Sequence, residues 1–522
     1  MAEEQKRPKT LFEEAVKETF TPALVIGLCG PIGSPLYEAS KILKSTLESE
    51  HDYEVLEIKM SKYIEEEFEN NTEKYIEIYE NKYSEYPLNS KHKEGDLKHG
   101  FKRKLVFIEV GNTLRETRGY DFLTARATKE INEYRKGHKK NRICYIINSF
   151  KHADELKLLE AIYGSSFYSI GIFNTRDKRV KYLKMKNGIN KGEADDLIEI
   201  DYDEKNSYGQ SVRKVFPMCD YFVKDYCQGD RKNYDLENGL SRFLKLILGD
   251  EIVTPTKEER GMYTAFAASL NSASLERQVG ACITDSKGNI LGVGWNDVPK
   301  AGGGLYTVED DNKDNRDYKK KKSIKQEKEI KIIDKVVGNI TKKIENLENH
   351  KDDIKEIIDI GLSPYLDVDH SVHAEMHAMI TASQSTGTLV RGGTLYTTVF
   401  PCSNCARHII ASGIKEIYYI EPYPKSGALK LHEDDLSEEE SETQKVVIKA
   451  FEGASSNRFN AMFRYRKDRD KPRKNKNGDY EPTSLEKAPP KQPISLKSIL
   501  ELEALVAEAV DDKKLNKEDK ES

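Results

Sequence analysis

The sequence predicts an α/β fold with two domains, the first of them built on a parallel sheet. In the first half of the chain, short apolar runs alternate with helical patterns, which is typical of strands that are buried on both faces. Near residue 256 this rhythm restarts with a new helix and a hairpin. The chain of 522 residues is also too long for one ordinary hydrophobic core.

The first domain is predicted to span residues 21–252, after an N-terminal segment of residues 1–20. Its buried strands are expected at the apolar runs of residues 23–29, 53–58, 105–110, 143–147, 169–173 and 219–224. An amphipathic helix is expected at residues 236–248, and a boundary at residues 250–257 follows it.

The second domain is predicted over residues 253–490, and residues 491–522 are expected to form a C-terminal helix and a charged tail. Helices and strands of the second domain are expected, in chain order, at residues 256–270, 279–284, 290–295, 373–383, 393–398, 403–413 and 416–420. The first two strands form a hairpin because a Ser-Lys-Gly-Asn turn at residues 286–289 joins them. The tail from residue 511 is almost entirely charged and is expected to be disordered.

A charged insertion interrupts the second domain at residues 307–354. It is rich in Lys, Glu and Asn, and an Ile/Val periodicity begins at Ile330. These features predict an inserted, largely solvated helical arm.

Composition limits the classes of partner. The 84 basic and 89 acidic side chains leave a net charge of -5, so no overall field favours a nucleic acid. Seven cysteines, an odd number with one close pair, do not form a disulfide framework and fit a reducing cytoplasm. No segment has the apolar character of a secretory signal or of a membrane span, so we expect a cytoplasmic protein without a membrane partner.

Two short motifs carry the chemistry of the second domain. They are His373-Ala374-Glu375 and Pro401-Cys402-Ser403-Asn404-Cys405, the two halves of the signature of zinc-dependent base deaminases. One imidazole and two thiolates hold Zn²⁺ and leave a fourth position for water. Glu375 is then the catalytic residue, because a carboxylate two residues from a ligand reaches that water without binding the metal.

The alternative is a closed structural zinc site or a pair of buried thiols. A closed site uses four protein ligands, and the sequence contains no second Cys-x-x-Cys. His370 and His377 flank His373 at helical spacing and are candidates for extra ligands, but solitary histidines near a site more often lie outside the ligand set.

Several segments of the second domain resemble the deoxycytidylate deaminases: residues 274–281, residues 294–299 and the two zinc motifs, in the order of that family. The resemblance implies an α/β/α domain, a homo-oligomer, and an Asn296 that contacts the deoxyribose. Arg277, Gln278 and Ala374 are further candidates for substrate contacts. In the alternative interpretation Asn296 is a turn residue and Arg277 belongs to a structural ion pair.

The chain as a whole resembles the two-domain bacterial antiphage deoxycytidine nucleotide deaminases. The supporting segments are residues 26–33, 145–151, 163–164, 208–210, 396–402 and 421–426. The resemblance implies hydrolytic deamination that depletes dCTP and dCMP during phage infection, a degenerate P-loop or nucleotide-kinase-like first domain, and inhibition by a small antitoxin RNA in some members. The insertion at residues 307–354 and the tail match no family feature.

Gly27, Gly30 and Gly33 come directly after the first predicted strand, where a phosphate-binding loop would lie. A working P-loop needs a lysine at a fixed offset, and neither register of these glycines supplies it. The sequence therefore predicts a noncatalytic module that binds a regulatory nucleotide or an RNA phosphate at an anion-friendly turn. Glu109, as an acidic metal partner, and the basic residues at 176–179, as a lid, are weaker candidates that surface charge explains equally well.

Three hypotheses for function follow from these residues. The first is a deaminase of free deoxycytidine nucleotides, with the preference for dCTP or dCMP left open. The second is a nucleic-acid base deaminase that uses the same zinc chemistry. The third is a nucleotide-sensing or RNA-binding regulatory protein in which the zinc site is secondary, although the intact Glu375 argues against it.

Overall fold

The computed structural model divides the chain into two compact units. It describes residues 16, 18–88, 95, 97, 100–138, 140–202, 204, 206–225, 234–249, 251–321, 324–343, 354, 355, 358, 370–386, 390–422, 426–464, 488, 490–492 and 494–518. Unit 1 consists of residues Met1–Thr254 and Glu452–Ser522, and unit 2 consists of Pro255–Phe451.

Unit 1 is built on a sheet whose central strands are parallel, as the alternating pattern predicts. Its strands are β1 Phe20–Thr21, β2 Leu24–Cys29, β3 Glu54–Lys59, β4 Ile143–Asn148, β5 Phe167–Phe173 and β6 Tyr221–Lys224. Strand β2 lies in the middle, with β4 and then β3 on one side and β5 and then β6 on the other. All of these neighbours are parallel. Strand β1 lies outside this sheet.

Helices join the strands of unit 1. They are α1 Leu36–Glu50, α2 Met60–Asn70, α3 Thr72–Lys82, α4 Gly100–Arg118, α5 Phe122–Gly137, α6 Ala153–Tyr163, α7 Arg176–Asn187, α8 Lys191–Tyr202, α9 Val212–Val215 and α10 Tyr234–Ile247. One core cluster contains Leu24 and Ile26 of β2, Leu43 of α1 and Leu240 and Phe243 of α10. The sheet is thus covered by α1 and α10 on the face to which these side chains point.

The predicted strand at residues 105–110 is wrong, because these residues lie inside helix α4. Leu105, Val106 and Ile108 are all buried, and so is Glu109. The sequence of a helix that is buried on more than one side contains a continuous apolar run. Periodicity alone does not distinguish such a run from a buried strand. Glu109 consequently ends no strand, and it accepts hydrogen bonds from Lys82 Nζ and Tyr83 OH, each at 2.7 Å.

Unit 2 is a mixed sheet between two layers of helix, which confirms the second α/β domain. Its elements are α11 Lys257–Ser269, β7 Gly280–Thr284, β8 Ile290–Trp295, α12 Asp317–Lys320, α13 Ile324–Lys343, α14 Ala374–Thr386, β9 Thr394–Val399, α15 Ser403–Ser412, β10 Glu416–Glu421, α16 Ala428–Leu431, β11 Leu436–Ser437 and β12 Val446–Ala450. The strand order is β11-β12-β10-β9-β7-β8. Strands β7 and β8 form the predicted antiparallel hairpin.

The alternating side-chain directions of β7 show that helices pack on both faces of this sheet. Ala281 and Ile283 belong to the core cluster that includes Ala374 and Ala378 of α14. On the opposite face, a Cβ added to Gly280 would lie 1.9 Å from the carbonyl oxygen of Ala265 in α11. Successive residues of a strand point to opposite faces, so α11 and α14 pack on different sides.

The charged insertion contains a helix, as predicted, but one stripe of that helix is buried. Ile333 and Val337 of α13 are 2% and 1% exposed, whereas Ile330 is 51% exposed. Residues four apart lie on one helix face, so this arm packs through an apolar stripe and is not simply solvated. Much of residues 344–369 lies outside the described residues.

Two expectations about the C-terminal part of the chain are corrected. Unit 2 ends at Phe451 and not at residue 490, because β13 Gly453–Ala454 pairs with β6 of unit 1. The chain continues with α17 Phe459–Phe463, β14 Ile494–Ser495, which pairs with β1, and α18 Leu496–Glu518. The predicted disorder from residue 511 is wrong as far as Glu518, because Lys, Leu and Glu favour helix and extend α18.

Candidate active site

Two helix starts bring the predicted zinc residues together in unit 2. His373 directly precedes α14, which begins at Ala374, and Cys402 is the N-cap of α15, which begins at Ser403. The Cys402 sulfur accepts a hydrogen bond from the backbone N–H of Cys405 at 3.4 Å. Strand β9 ends at Val399, so the strand-to-helix turn carries the Pro-Cys-x-x-Cys motif.

The three predicted ligands have the spacing of a tetrahedral zinc site. His373 Nδ1 lies 3.4 Å from Cys402 Sγ and 3.4 Å from Cys405 Sγ. Zn–S distances of about 2.3 Å and Zn–N distances of about 2.0 Å separate tetrahedral S and N ligands by about 3.5 Å. All three ligand atoms lie within 4.8 Å of one another. The donor set and its spacing therefore fit Zn²⁺ with one position left open.

The two thiols have opposite pKa shifts. The pKa of Cys402 is lowered to about 4, because the Cys405 thiol donates to its sulfur and His373 lies beside it. The pKa of Cys405 is raised, because it donates that hydrogen bond and is buried near Glu375 and Cys402. Cys402 is therefore already a thiolate at neutral pH, which is the form that binds metals.

Glu375 is a buried carboxylic acid next to this cluster. It is 4% exposed, and its Oε2 lies 3.5 Å from Cys405 Sγ. Its pKa is raised, first by burial and then by the negative Cys402, although His373 acts in the opposite direction. A buried carboxyl group beside the open metal position can take up and release a proton there, which is what general acid and base catalysis requires.

A cavity of about 160 Å³ opens beside these residues. Its walls include His373, Ala374, Glu375 and Cys402, together with Arg277 and Asn296. The structure thus brings together the predicted metal, catalytic and substrate residues with one exception. Gln278 does not line the cavity; it is exposed, and its Nε2 donates to the Ser272 carbonyl oxygen at 2.7 Å.

Asn296 and Arg277 have structural partners besides their place at the cavity. Asn296 Oδ1 accepts from the Val279 N–H at 2.7 Å, and its Nδ2 donates to the Arg277 carbonyl oxygen at 2.9 Å. These two bonds fix the loop before β7. Arg277 Nη2 lies 2.9 Å from Glu421 Oε1, so the ion pair considered as an alternative for Arg277 is present.

The cavity also includes a residue to which no sequence motif assigns a function. Lys325, near the start of α13 in the charged insertion, lines the cavity, and its Nζ lies 3.0 Å from Glu276 Oε2. Ser274, Glu276, Val399 and Phe400 line it as well. Nothing distinguishes Lys325 from the other lysines of this Lys-rich segment, so only the fold reveals its position.

The flanking histidines lie outside the metal group. His377 Nδ1 accepts the Trp295 N–H at 3.2 Å, and burial lowers the pKa of His377. His370 Nε2 lies 3.4 Å from Asp317 Oδ1. Among the described residues, only His373, Cys402 and Cys405 form a cluster of metal-binding type.

Two glycines of β8 allow helix α14 to approach the sheet closely. A Cβ on Gly294 would lie 2.3 Å from the Ala378 nitrogen and 2.4 Å from the Ala374 oxygen. A Cβ on Gly292 would lie 2.4 Å from the Ala378 oxygen. These approaches set the position of the first turn of α14, and therefore of His373 and Glu375.

The three glycines predicted for an N-terminal anion site have different environments. Gly27 lies inside β2, where an added Cβ would meet the Phe150 ring at 2.5 Å. Gly30 and Gly33 follow the strand, and Gly33 has a left-handed φ of 84°. Arg176, proposed for a lid, lies on α7, and its Nη2 lies 2.9 Å from Asp195 Oδ1.

Comparisons with known proteins bear on unit 2. Residues 255–421 match the family model described as "Cytidine and deoxycytidylate deaminase zinc-binding region". The deoxycytidylate deaminase of Enterobacteria phage T4 is 40% identical over 57 residues, which are 11% of this chain and 29% of that protein. The deoxycytidylate deaminase of Homo sapiens is 28% identical over 159 residues, 30% of this chain and 61% of that protein. The chain thus spans less than two thirds of the length of these curated relatives.

One solved structure, the dCMP deaminase of the cyanophage S-TIM5 in complex with dCMP and dUMP, is 20% identical with a TM-score of 0.23, and the alignment covers 38% of this chain and 99% of that chain. In the described part of the chain, no helix combines the length and hydrophobicity of a membrane span. His373, Glu375, Cys402 and Cys405 all lie within the matched residues. Residues 255–421 are therefore similar to the zinc-binding region of cytidine and deoxycytidylate deaminases.

Proposed function

We propose that this chain deaminates free deoxycytidine nucleotides, converting dCMP, dCTP or both to the uracil nucleotides with release of ammonia. The observation that carries the proposal is that buried Glu375 lines one cavity with His373 and Cys402, which form a cluster of metal-binding type with Cys405. Bound Zn²⁺ supplies a Lewis acid that makes water a nucleophile at neutral pH.

The residues of the chain then have separate tasks. Glu375 takes one proton from the attacking water and passes it to N3 of the cytosine ring. It then moves the second proton of that water, from the hydroxyl group now on C4, to the amine, which leaves as ammonia when the C4–N bond breaks. Its burial favours this role, because the neutral and charged forms of the carboxyl group are brought closer in free energy. Asn296 is proposed to contact the deoxyribose, with its side chain held by backbone bonds at Val279 and Arg277.

Two cationic side chains at the cavity support a phosphate-bearing substrate. Arg277 and Lys325 both line the cavity, and each is paired with one glutamate, Glu421 and Glu276 respectively. Both pairs are partly exposed. A substrate phosphate that enters the cavity can accept hydrogen bonds from Arg277 and Lys325, either in place of the glutamates or together with them. Hydrogen bonds between charged groups are stronger than those between neutral groups.

The wider biological role is proposed on the resemblance of the whole chain. It comprises depletion of dCTP and dCMP during phage infection, a homo-oligomeric assembly, inhibition by a small antitoxin RNA, and a P-loop-like unit 1. The segments that carry this resemblance lie in both units.

Product analysis tests the proposal. The purified, zinc-loaded full chain is mixed separately with dCMP, dCTP, CMP, CTP and a cytosine-containing oligonucleotide, and the products are weighed by mass spectrometry. We expect uracil products from a free deoxycytidine nucleotide, and none with Glu375→Ala. Turnover of the oligonucleotide alone would replace this proposal with the nucleic-acid deaminase, and binding without turnover would favour the regulatory protein.

A further inference from the structure

Unit 1 contains a cavity of about 710 Å³ at one edge of its sheet. It lies at the carboxyl ends of parallel strands: Lys59 ends β3, Asn148 ends β4, and residues 31–34 follow β2. The chain leaves β2 for β3 on one side of the sheet and leaves β4 for β5 on the other, so the connections diverge between these two adjacent strands. In open α/β sheets this divergence is the place where ligands bind.

The walls of the cavity combine cationic and aromatic side chains, which suits a ligand that carries both a phosphate and a base. Lys59, Lys104 and Lys151 are among the lining residues. Apolar and aromatic side chains line the cavity as well, among them Tyr37, Phe107 and Tyr182. The volume falls within the range of about 300–1,000 Å³ that is usual for small-molecule sites.

Some of the cationic groups are already neutralised. Lys151 Nζ donates to the Gly30 carbonyl oxygen at 2.7 Å and to Asp201 Oδ1 at 2.8 Å. Arg103 forms an ion pair with Glu65. Lys151 and Arg103 line the cavity, but their charges are balanced by these carboxylates, so they contribute less to the attraction of an anion.

Lys104 and Lys59 differ from Lys151 and Arg103 because their charges are not balanced by a carboxylate of the described residues. Within the part of the chain that the structure describes, neither ammonium group forms an ion pair or a hydrogen bond. The pKa of Lys104 is lowered, first by burial and then by the nearby Lys151. Lys59 has only the Tyr37 ring, whose centroid is 5.4 Å from its Nζ. A bound anion would relieve the repulsion that Lys104 experiences.

A buried hydroxyl group points to the same ligand independently. Ser34 is 7% exposed and lines the cavity, and its Oγ has no hydrogen-bond partner among the described residues. Buried polar atoms are nearly always paired, so an unpaired one in a cavity wall indicates a group that is supplied from outside. Ser34 lies just before α1, a helix of 15 residues, whose N-terminus also favours an anion.

We propose that this cavity binds a nucleoside phosphate, with its phosphate at Ser34, Lys59 and Lys104 and its base on the aromatic wall. This proposal does not depend on deamination in unit 2. The ligand is bound and not hydrolysed, since the loop after β2 has no P-loop lysine. Asp201, one of the carboxylates that line the cavity, already has structural partners, because its Oδ2 accepts the Ile32 N–H at 2.7 Å and its Oδ1 accepts from Lys151.

Calorimetric titration of the full chain tests the site, with AMP, GMP, UMP, adenosine and inorganic phosphate as probes. We expect at least one nucleoside monophosphate to bind about tenfold or more tightly than adenosine and phosphate do. Lys104→Met should weaken that binding about tenfold or more, and Ser34→Ala by a few fold. Lys104→Arg should retain most of the binding, and Lys157→Met, which removes an exposed lysine outside the cavity, should retain all of it.

Three results would overturn the proposal. The first is the absence of binding heat with every nucleotide at low-millimolar concentration. The second is that none of AMP, GMP and UMP binds more tightly than adenosine and phosphate do. The third is unchanged affinity in a Lys104→Met protein whose circular dichroism matches the wild type. Deaminase activity is not a readout here, so the outcome is separate from that of the proposed function.

Discussion

Glu375 Oε2 lies 3.5 Å from Cys405 Sγ, so the proposed proton carrier and a zinc ligand share one buried wall although 30 positions separate them. Glu375 is not in the ligand cluster. Glu375→Gln keeps the shape of the side chain but cannot transfer a proton, and we expect turnover to fall by a factor of about 10² or more. Metal analysis by mass spectrometry should still find one zinc per chain.

Cys405→Ser provides the matched comparison for that variant. It removes a ligand, so both zinc and activity should be lost together. Loss of zinc in Glu375→Gln would show that the carboxylate holds the metal, and retained turnover would remove it from the chemistry.

The close approach of α14 to β8 gives a second prediction. Gly294→Ala places a methyl group against backbone atoms of Ala374 and Ala378, which side-chain rotation cannot relieve. We expect unit 2 to lose about 1–3 kcal/mol of unfolding free energy. Turnover should fall as well, because His373 and Glu375 lie at the displaced end of the helix. Thermal unfolding and initial rates measure the two effects.

Gly338→Ala is the control for this substitution. Gly338 lies inside α13, and an added Cβ would meet nothing within 4 Å. Alanine favours helix over glycine by about 1 kcal/mol, so this variant should be slightly stabilised. If Gly294→Ala behaves as Gly338→Ala does, the packing of α14 does not position the site.

The zinc site was predictable from sequence because its determinants are local. Each motif lies at a helix start, and the spacing within it already fixes which side chains converge. The failed strand at residues 105–110 shows the opposite case, since a helix buried on several sides has no single apolar face. The end of the second domain could not be predicted either, because the strand Gly453–Ala454 has only two residues and is too short to show an alternation of apolar and polar residues.

The substrate end of the cavity could be predicted only in part. Arg277 and Gln278 are adjacent in sequence, yet Arg277 lines the cavity and Gln278 is exposed. Lys325 reaches the cavity through a helix that is 48 residues from Arg277 in sequence. Such a contact depends on tertiary packing, which no local pattern encodes.

Lys325 gives a third prediction. Lys325→Met keeps the length of the side chain and removes its charge, so we expect KM for the preferred nucleotide to rise several-fold, with a smaller change in kcat. Lys335→Met on the same helix, at an exposed position outside the cavity, should leave KM unchanged. Steady-state assays of the two variants side by side decide the matter. An equal KM in both would mean that Lys325 does not contact the substrate.

The base of the charged insertion is held by a buried ion pair, which gives a prediction about pH. Arg316 Nε and Nη2 donate to the Asp314 carboxylate at 3.0 Å and 2.8 Å, and Tyr318 OH donates to it at 3.1 Å. These bonds, with those of Arg316 first, lower the pKa of Asp314 to about 2. Arg316 Nη1 also lies 3.6 Å from Asp297 Oδ2, and Asp297 Oδ2 accepts the Ala273 N–H.

Asp314→Asn removes the negative charge and one of the two acceptor oxygens that face the buried Arg316 guanidinium, and it should cost about 2 kcal/mol at pH 7. Because the folded pKa is depressed, the stabilisation by Asp314 is complete above the unfolded pKa of about 4 and is lost as the pH falls towards 2. The difference in melting temperature between wild type and variant should therefore be constant from pH 7 to 5 and shrink below pH 4. Asp334→Asn, which breaks an exposed pair with Lys355, should change little at any pH. A difference that stays the same at pH 3 and pH 7 would show that the Asp314 charge does not hold the insertion.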